Sequence, residues 1–156
     1  MASIPAIPTT YNGVRFRSRL EARYAAFFDD LELEWAYEPL ELSGWIPDFS
    51  LVSMSGRYEL VEIKPAHTLR ELSEFFTKIE QSGTREQVVL YGLNPLIFWL
   101  GKYRGTAYDG DRPIPVWHWD DDYVNRNYPP ELREIALNSW KKAGNATQWR
   151  GDLAQP

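Results

Sequence analysis

A chain of 156 residues supplies one ordinary domain's core and falls short of two. Hydrophobic residues at 44% exclude wholesale disorder, and the absence of Cys excludes a disulfide scaffold, a thiolate zinc site and a thiol nucleophile. Seventeen basic against 22 acidic side chains leave a formal charge of −5, so any nucleic-acid contact must come from a local basic patch.

Residues 1–10 carry two Pro and two Thr without periodicity and read as a flexible arm. They also lack the basic start and apolar centre of a signal peptide. From Ser18 to Asp30 the spacing predicts a helix, with Leu20, Tyr24, Phe27, Phe28 and Leu31 on one stripe. Trp35–Leu42, Trp45–Val52 and Tyr58–Lys64 are strand candidates, the last two joined by a five-residue turn, Ser53–Arg57. After Pro65 the helical period returns through Leu69, Leu72, Phe75, Phe76 and Ile79, and Gly83 is its expected stop. Gln87–Tyr91 reads as a short buried strand and Leu96–Leu100 as another. Gly and Pro enrichment predicts a loop over Gly101–Pro115, followed by an edge strand at Val116–Trp119. Pro130–Lys142 reads as a last helix with Gly144 just past its end.

The order is α-β-β-β-α-β with a C-terminal helical appendage. It predicts an α/β fold with a mixed central sheet flanked by helices: an arm over 1–10, a core over 11–100, an extension of the same domain over 101–145 and a flexible tail over 146–156. No apolar run approaches the ~18 residues that cross a bilayer, so no membrane partner is expected.

The hairpin over residues 45–64 carries the chemistry. Alternate strand residues share a face, so Glu62 and Lys64 are neighbours on one surface. A turn centred on Ser55 pairs Val52 with Tyr58, Ser50 with Leu60 and Asp48 with Glu62. Opposed Cβ atoms lie about 5 Å apart, where like charges destabilise a fold. A hard divalent cation such as Mg²⁺ reverses that sign. Lys64, about 7 Å further along the strand, stands where a substrate phosphate or a metal-bound water would be met. A purely structural account also exists, in which both carboxylates are solvated and Lys64 pairs with Glu62. Pro47, which cannot donate to a ladder, belongs at a strand start or edge.

Ile46-Pro47-Asp48-Phe49, followed after a hairpin by Val61-Glu62-Ile63-Lys64, resembles the Pro-Asp and Glu-x-Lys signature of the PD-(D/E)XK nuclease superfamily. The element order over Arg15–Tyr91 is similar to that superfamily's restriction-endonuclease-like core. Arg17-Ser18-Arg19-Leu20-Glu21-Ala22-Arg23 resembles the first helix of small phage and actinobacterial members. The resemblance implies DNA cleavage that depends on Mg²⁺ or Mn²⁺, with Asp48 and Glu62 as ligands, the Ile63 carbonyl as a third, Lys64 catalytic and Glu21 joining the metal site. It also implies a cytoplasmic protein of a bacterial or phage-infected cell, and leaves open a homodimer, a resolvase or transposon-end endonuclease acting with partners, and a non-catalytic nucleic-acid-binding or assembly subunit.

Glu21 has a competing account, since Ser18-x-x-Glu21 fits a capping box. Around it Arg15, Arg17, Arg19 and Arg23 form the densest basic cluster of an acidic chain and are candidate DNA-backbone contacts, the alternative being a solvated helix start. Lys78 on the second helix is a further contact candidate that reads more simply as solvent-facing, and Lys102 and Arg104 beside Tyr103 are another. His67, and His118 with Asp120, Asp121 and Asp122, are weaker metal candidates that read more simply as turn and loop residues. The seven Trp suggest base stacking or, more simply, core.

Overall fold

The computed structural model of the chain describes residues 6–66, 68–120 and 130–148. It begins with a short hairpin, β1 (Thr9–Tyr11) and β2 (Val14–Phe16), followed by helix α1 (Arg19–Asp30). Strands β3 (Glu34–Tyr37), β4 (Phe49–Val52) and β5 (Tyr58–Ile63) come next, then a 3-10 turn at Leu69–Leu72 that runs into helix α2 (Ser73–Gln81). Strands β6 (Gln87–Tyr91), β7 (Phe98–Asp109) and β8 (Arg112–Asp120) precede helix α3 (Pro130–Thr147). The class is α/β, and α1-β3-β4-β5-α2-β6 is the order read from the periodicities. No helix among the described residues is long and apolar enough to cross a membrane. By contacts the chain divides into two compact units, Met1–Glu34 with Pro129–Pro156, and Trp35–Tyr128.

In the first unit, Ser18 caps α1: its backbone is extended and its Oγ accepts the Glu21 N–H at 3.1 Å. The helix ends in a Schellman arrangement, with the Glu32 N–H bonded to the Asp29 carbonyl and the Leu33 N–H to the Phe28 carbonyl, both at 2.9 Å. Glu32 occupies the left-handed position (φ 58°) that usually falls to glycine. α1 buries more than the predicted stripe, since Ala22, Ala25 and Ala26 are inside with Tyr24, Phe27 and Phe28. Tyr24 and Phe27 pack on Trp140 of α3, with ring centroids 4.6 and 5.8 Å away.

Two expectations fail in this unit. Thr9 and Thr10 are not arm but strand, paired with Phe16 and Arg15. Gly144 does not stop the last helix, which runs on to Thr147. A Cβ on Gly144 would come within 2.8 Å of the Arg23 guanidinium, so this glycine serves close approach and not termination.

The second unit is a six-stranded sheet in the order β3-β4-β5-β6-β7-β8. The α2 crossover makes the β5–β6 pair parallel, and the β4–β5, β6–β7 and β7–β8 pairs are antiparallel. Leu60, Val88, Leu90 and Trp99 form the core on the α2 face, against Ile79, Leu72, Ala66 and Trp45. The predicted strands at 35–42 and 45–52 are shorter than expected. β3 ends where Glu38 turns to a positive φ of 46° before Pro39, and the chain then makes a two-residue turn through Ser43 and Gly44.

The predicted loop over Gly101–Pro115 is instead most of a long hairpin, β7 with β8. Its glycines and prolines have structural places. Gly101 lies under the Trp119 ring, where a Cβ would meet it at 2.4 Å, and Gly105 sits beside the bulge after Tyr103. Pro113 and Pro115 lie two apart on the edge strand β8, so both missing N–H groups fall on the same side. With the β7 ladder intact through them, that side is the outer one, which leaves the sheet edge poor in donors for a further strand.

Candidate functional site

The hairpin turn is closed by a Ser53 N–H bond to the Arg57 carbonyl at 2.8 Å. The register is the predicted one: Val52 faces Tyr58, Ser50 faces Leu60 and Phe49 faces Val61. The paired register ends at Phe49, one residue short of the expected Asp48–Glu62 pair, and Asp48 makes its contacts to β5 by hydrogen bonding instead. The Ile63 N–H donates to Asp48 Oδ2 at 2.8 Å, and the Asp48 N–H in turn serves the Glu62 carboxylate. Both acids are buried, at 4% and 6% exposure, so neither is the solvated surface carboxylate of the structural account.

Three donors converge on Glu62. Besides the Asp48 N–H, the Trp45 indole Nε1–H donates to Oε1 at 3.1 Å and the Lys64 ammonium lies 3.3 Å from Oε2. Burial pushes the Glu62 carboxyl above the usual carboxylate range, and the Lys64 charge, the indole and the Asp48 N–H offset only part of that shift. Lys64 keeps partial solvent access and lies over the Phe75 ring, 4.6 Å from its centroid. The Lys78 ammonium approaches the same ring at 5.7 Å, so α2 brings a second cation to this edge of the site.

Trp45 is the site residue that sequence reasoning missed. Its one signal was general: a buried indole N–H needs an acceptor. Which acceptor is decided 17 residues away.

The donor chemistry fits a hard divalent cation. Each carboxylate offers about four lone-pair positions to hydrogen-bond donors or a cation. Among the described residues no three His, Asp or Glu side chains form a cluster, so backbone carbonyl and water oxygens would complete the coordination of Asp48 and Glu62, as suits Mg²⁺. Ile63 enters the site through its N–H, on Asp48.

The remaining candidates have surroundings of their own. Glu21 belongs to the first unit, where its carboxylate accepts the Ser18 hydroxyl at 2.9 Å and stands 4.0 Å from the Arg17 guanidinium. Arg15, Arg17 and Arg19 are exposed. Arg23 is committed to α3: it donates from Nε and Nη2 to the Trp140 carbonyl at 3.1 and 2.8 Å and stacks 4.0 Å from the Trp140 ring. Tyr103 stacks edge-on with Trp117 and carries the Arg85 guanidinium 5.2 Å from its ring, while Arg104 is exposed at the bulge. His118 is exposed on β8, and His67, Asp121 and Asp122 lie outside the described residues. No family model matches the chain, and no curated protein or solved structure matches it either.

Proposed function

We propose that this chain is a metal-dependent nuclease of the restriction-endonuclease-like, PD-(D/E)XK type that hydrolyses DNA phosphodiester bonds. The observation that carries the reading is the buried Asp48 and Glu62, the first just before β4 and bonded to the Ile63 N–H, the second on β5 with Lys64 beside it. Two buried carboxylates in one site cost desolvation, and the Lys64 ammonium stands beside one of them, Glu62. Asp48 and Glu62 would hold Mg²⁺ or Mn²⁺, which when bound supplies Lewis acidity toward a phosphoryl oxygen and a water acidic enough to react at neutral pH.

The protein's own groups do the rest. Glu62 is held by three donors, so its carboxylate is oriented before any ligand arrives. Lys64, with its solvent access, offsets charge that accumulates on the phosphoryl oxygens. Lys78 binds a neighbouring phosphate, and the Trp45 and Phe75 rings keep the Glu62 side of the site apolar and low in water. Arg15, Arg17 and Arg19 add sequence-independent backbone contacts.

A second reading has one observation of its own. The Glu62–Lys64 ion pair suits a closed structural contact in a non-catalytic nucleic-acid-binding or assembly subunit. Incubation with linear, supercoiled and branched DNA in Mg²⁺, Mn²⁺ or EDTA separates the two. Cleavage that EDTA abolishes is expected; binding without cleavage under every metal would transfer the conclusion to the subunit.

A further inference from the structure

The Leu42–Trp45 turn is closed by a Leu42 N–H bond to the Trp45 carbonyl at 2.8 Å and the reverse bond at 3.2 Å, with Gly44 at φ 72° making the tight return. This brings the indole into the core at 2% exposure, edge-on to Phe75 with centroids 6.0 Å apart. Its single polar atom meets Glu62 Oε1.

An indole is a donor only and carries no charge. It therefore fixes a carboxylate without competing for a cation. Oε1 is tied to Trp45, and Oε2 is the oxygen that Lys64's ammonium approaches. The carboxylate cannot rotate without breaking one of these contacts. Resting on the nuclease reading above, we infer that Trp45 is a positioning residue: its indole N–H locks the Glu62 carboxylate so that Oε2 is presented to cations.

Groups that orient a ligand typically contribute 10- to 100-fold to metal affinity. Trp45→Phe keeps a ring against Phe75 and deletes the N–H. Calorimetric titration of Mg²⁺ and Mn²⁺ into DNA-free protein should show binding weakened by about 10-fold or more in this variant. In cleavage assays the half-saturating metal concentration should rise by the same factor, while kcat at saturating metal and KM for DNA stay within a few-fold of wild type. A merely structural role would instead lower activity at every metal concentration. The wild-type protein gives a second measurement that needs no stable variant: the Trp45 indole ¹⁵N–H resonance should move as Mg²⁺ is added, saturating at the calorimetric Kd.

Wild-type metal affinity in Trp45→Phe, or an indole resonance indifferent to Mg²⁺ in a wild-type protein that binds it, overturns the inference alone. A wild-type protein that takes up neither ion overturns the nuclease reading and this inference together.

Discussion

Asp48 and Glu62 are tied together through the backbone in both directions: Asp48 Oδ2 accepts the N–H of Ile63, the residue after Glu62, and the Asp48 N–H serves the Glu62 carboxylate. Asp48 is therefore part of the hairpin's hydrogen bonding as well as one of two acids. Repulsion between the two carboxylates is not the whole of its energetics.

Asp48→Ala should leave the buried Ile63 N–H without an acceptor and cost about 1–3 kcal/mol. Asp48→Asn keeps an acceptor oxygen and should stay within about 1 kcal/mol of wild type. Both should lose DNA cleavage. Urea denaturation of the two variants beside a cleavage assay checks this, and equal stability of the pair would remove the backbone role.

The pH dependence has a definite sign. Burial raises the folded-state pKa of Glu62, and that of Glu59, above the ordinary value of 4.5. Below 4.5 the two groups leave stability intact; as pH rises through their raised values the unfolded chain holds fewer protons than the folded one, and stability falls. In EDTA, melting temperatures of Glu62→Gln should therefore drop less than wild type as pH rises from 4.5 to 7, and at neutral pH the variant should be no less stable. Mg²⁺ binds the charged form and should narrow that difference. A wild-type melting curve that gains on the variant with rising pH in EDTA would reverse the sign.

The four arginines around α1 should separate into two classes. Replacing Arg15, Arg17 and Arg19 together by Ala should weaken DNA binding and flatten its salt dependence, by up to about 0.9 in slope per lost phosphate contact, with little change in melting temperature. Arg23→Ala should instead cost about 2 kcal/mol of stability, because it removes two charge-assisted bonds to the Trp140 carbonyl and a ring contact. Fluorescence anisotropy across a salt series, with thermal melts of both proteins, tests the division.

Ser18→Ala should destabilise the protein by about 1 kcal/mol through loss of the α1 cap. Glu21→Gln should cost less, since Gln also serves a capping box. The Glu21 carboxylate is engaged by the Ser18 hydroxyl and stands near the Arg17 guanidinium, so Glu21→Gln is also expected to keep wild-type Mg²⁺ affinity. A weakened affinity would assign Glu21 the metal-site role that the resemblance implies.

Glu32→Gly should stabilise the protein by up to about 1 kcal/mol, since glycine accepts the left-handed conformation at the α1 terminus without a Cβ penalty. Chemical denaturation of the single variant suffices as a check.

Local pattern determined a good part of this protein. The Ser18 cap and the apolar spacing that follows it specify α1 wherever the chain packs, and the turn at 53–57 sets a register that carries Asp48 to Glu62, because each is a matter of a few consecutive residues. Gly101, Gly105, Pro113 and Pro115 misled the same reading, since in isolation they break strands, and what holds them in β7 and β8 is the partner strand. The identity of polar partners was further out of reach. Trp45 finds its acceptor 17 residues along the chain and Arg23 finds its carbonyl 117 residues along. A buried donor's need for a partner is written in the residue type, but only the folded chain decides which oxygen stands within hydrogen-bond reach of it.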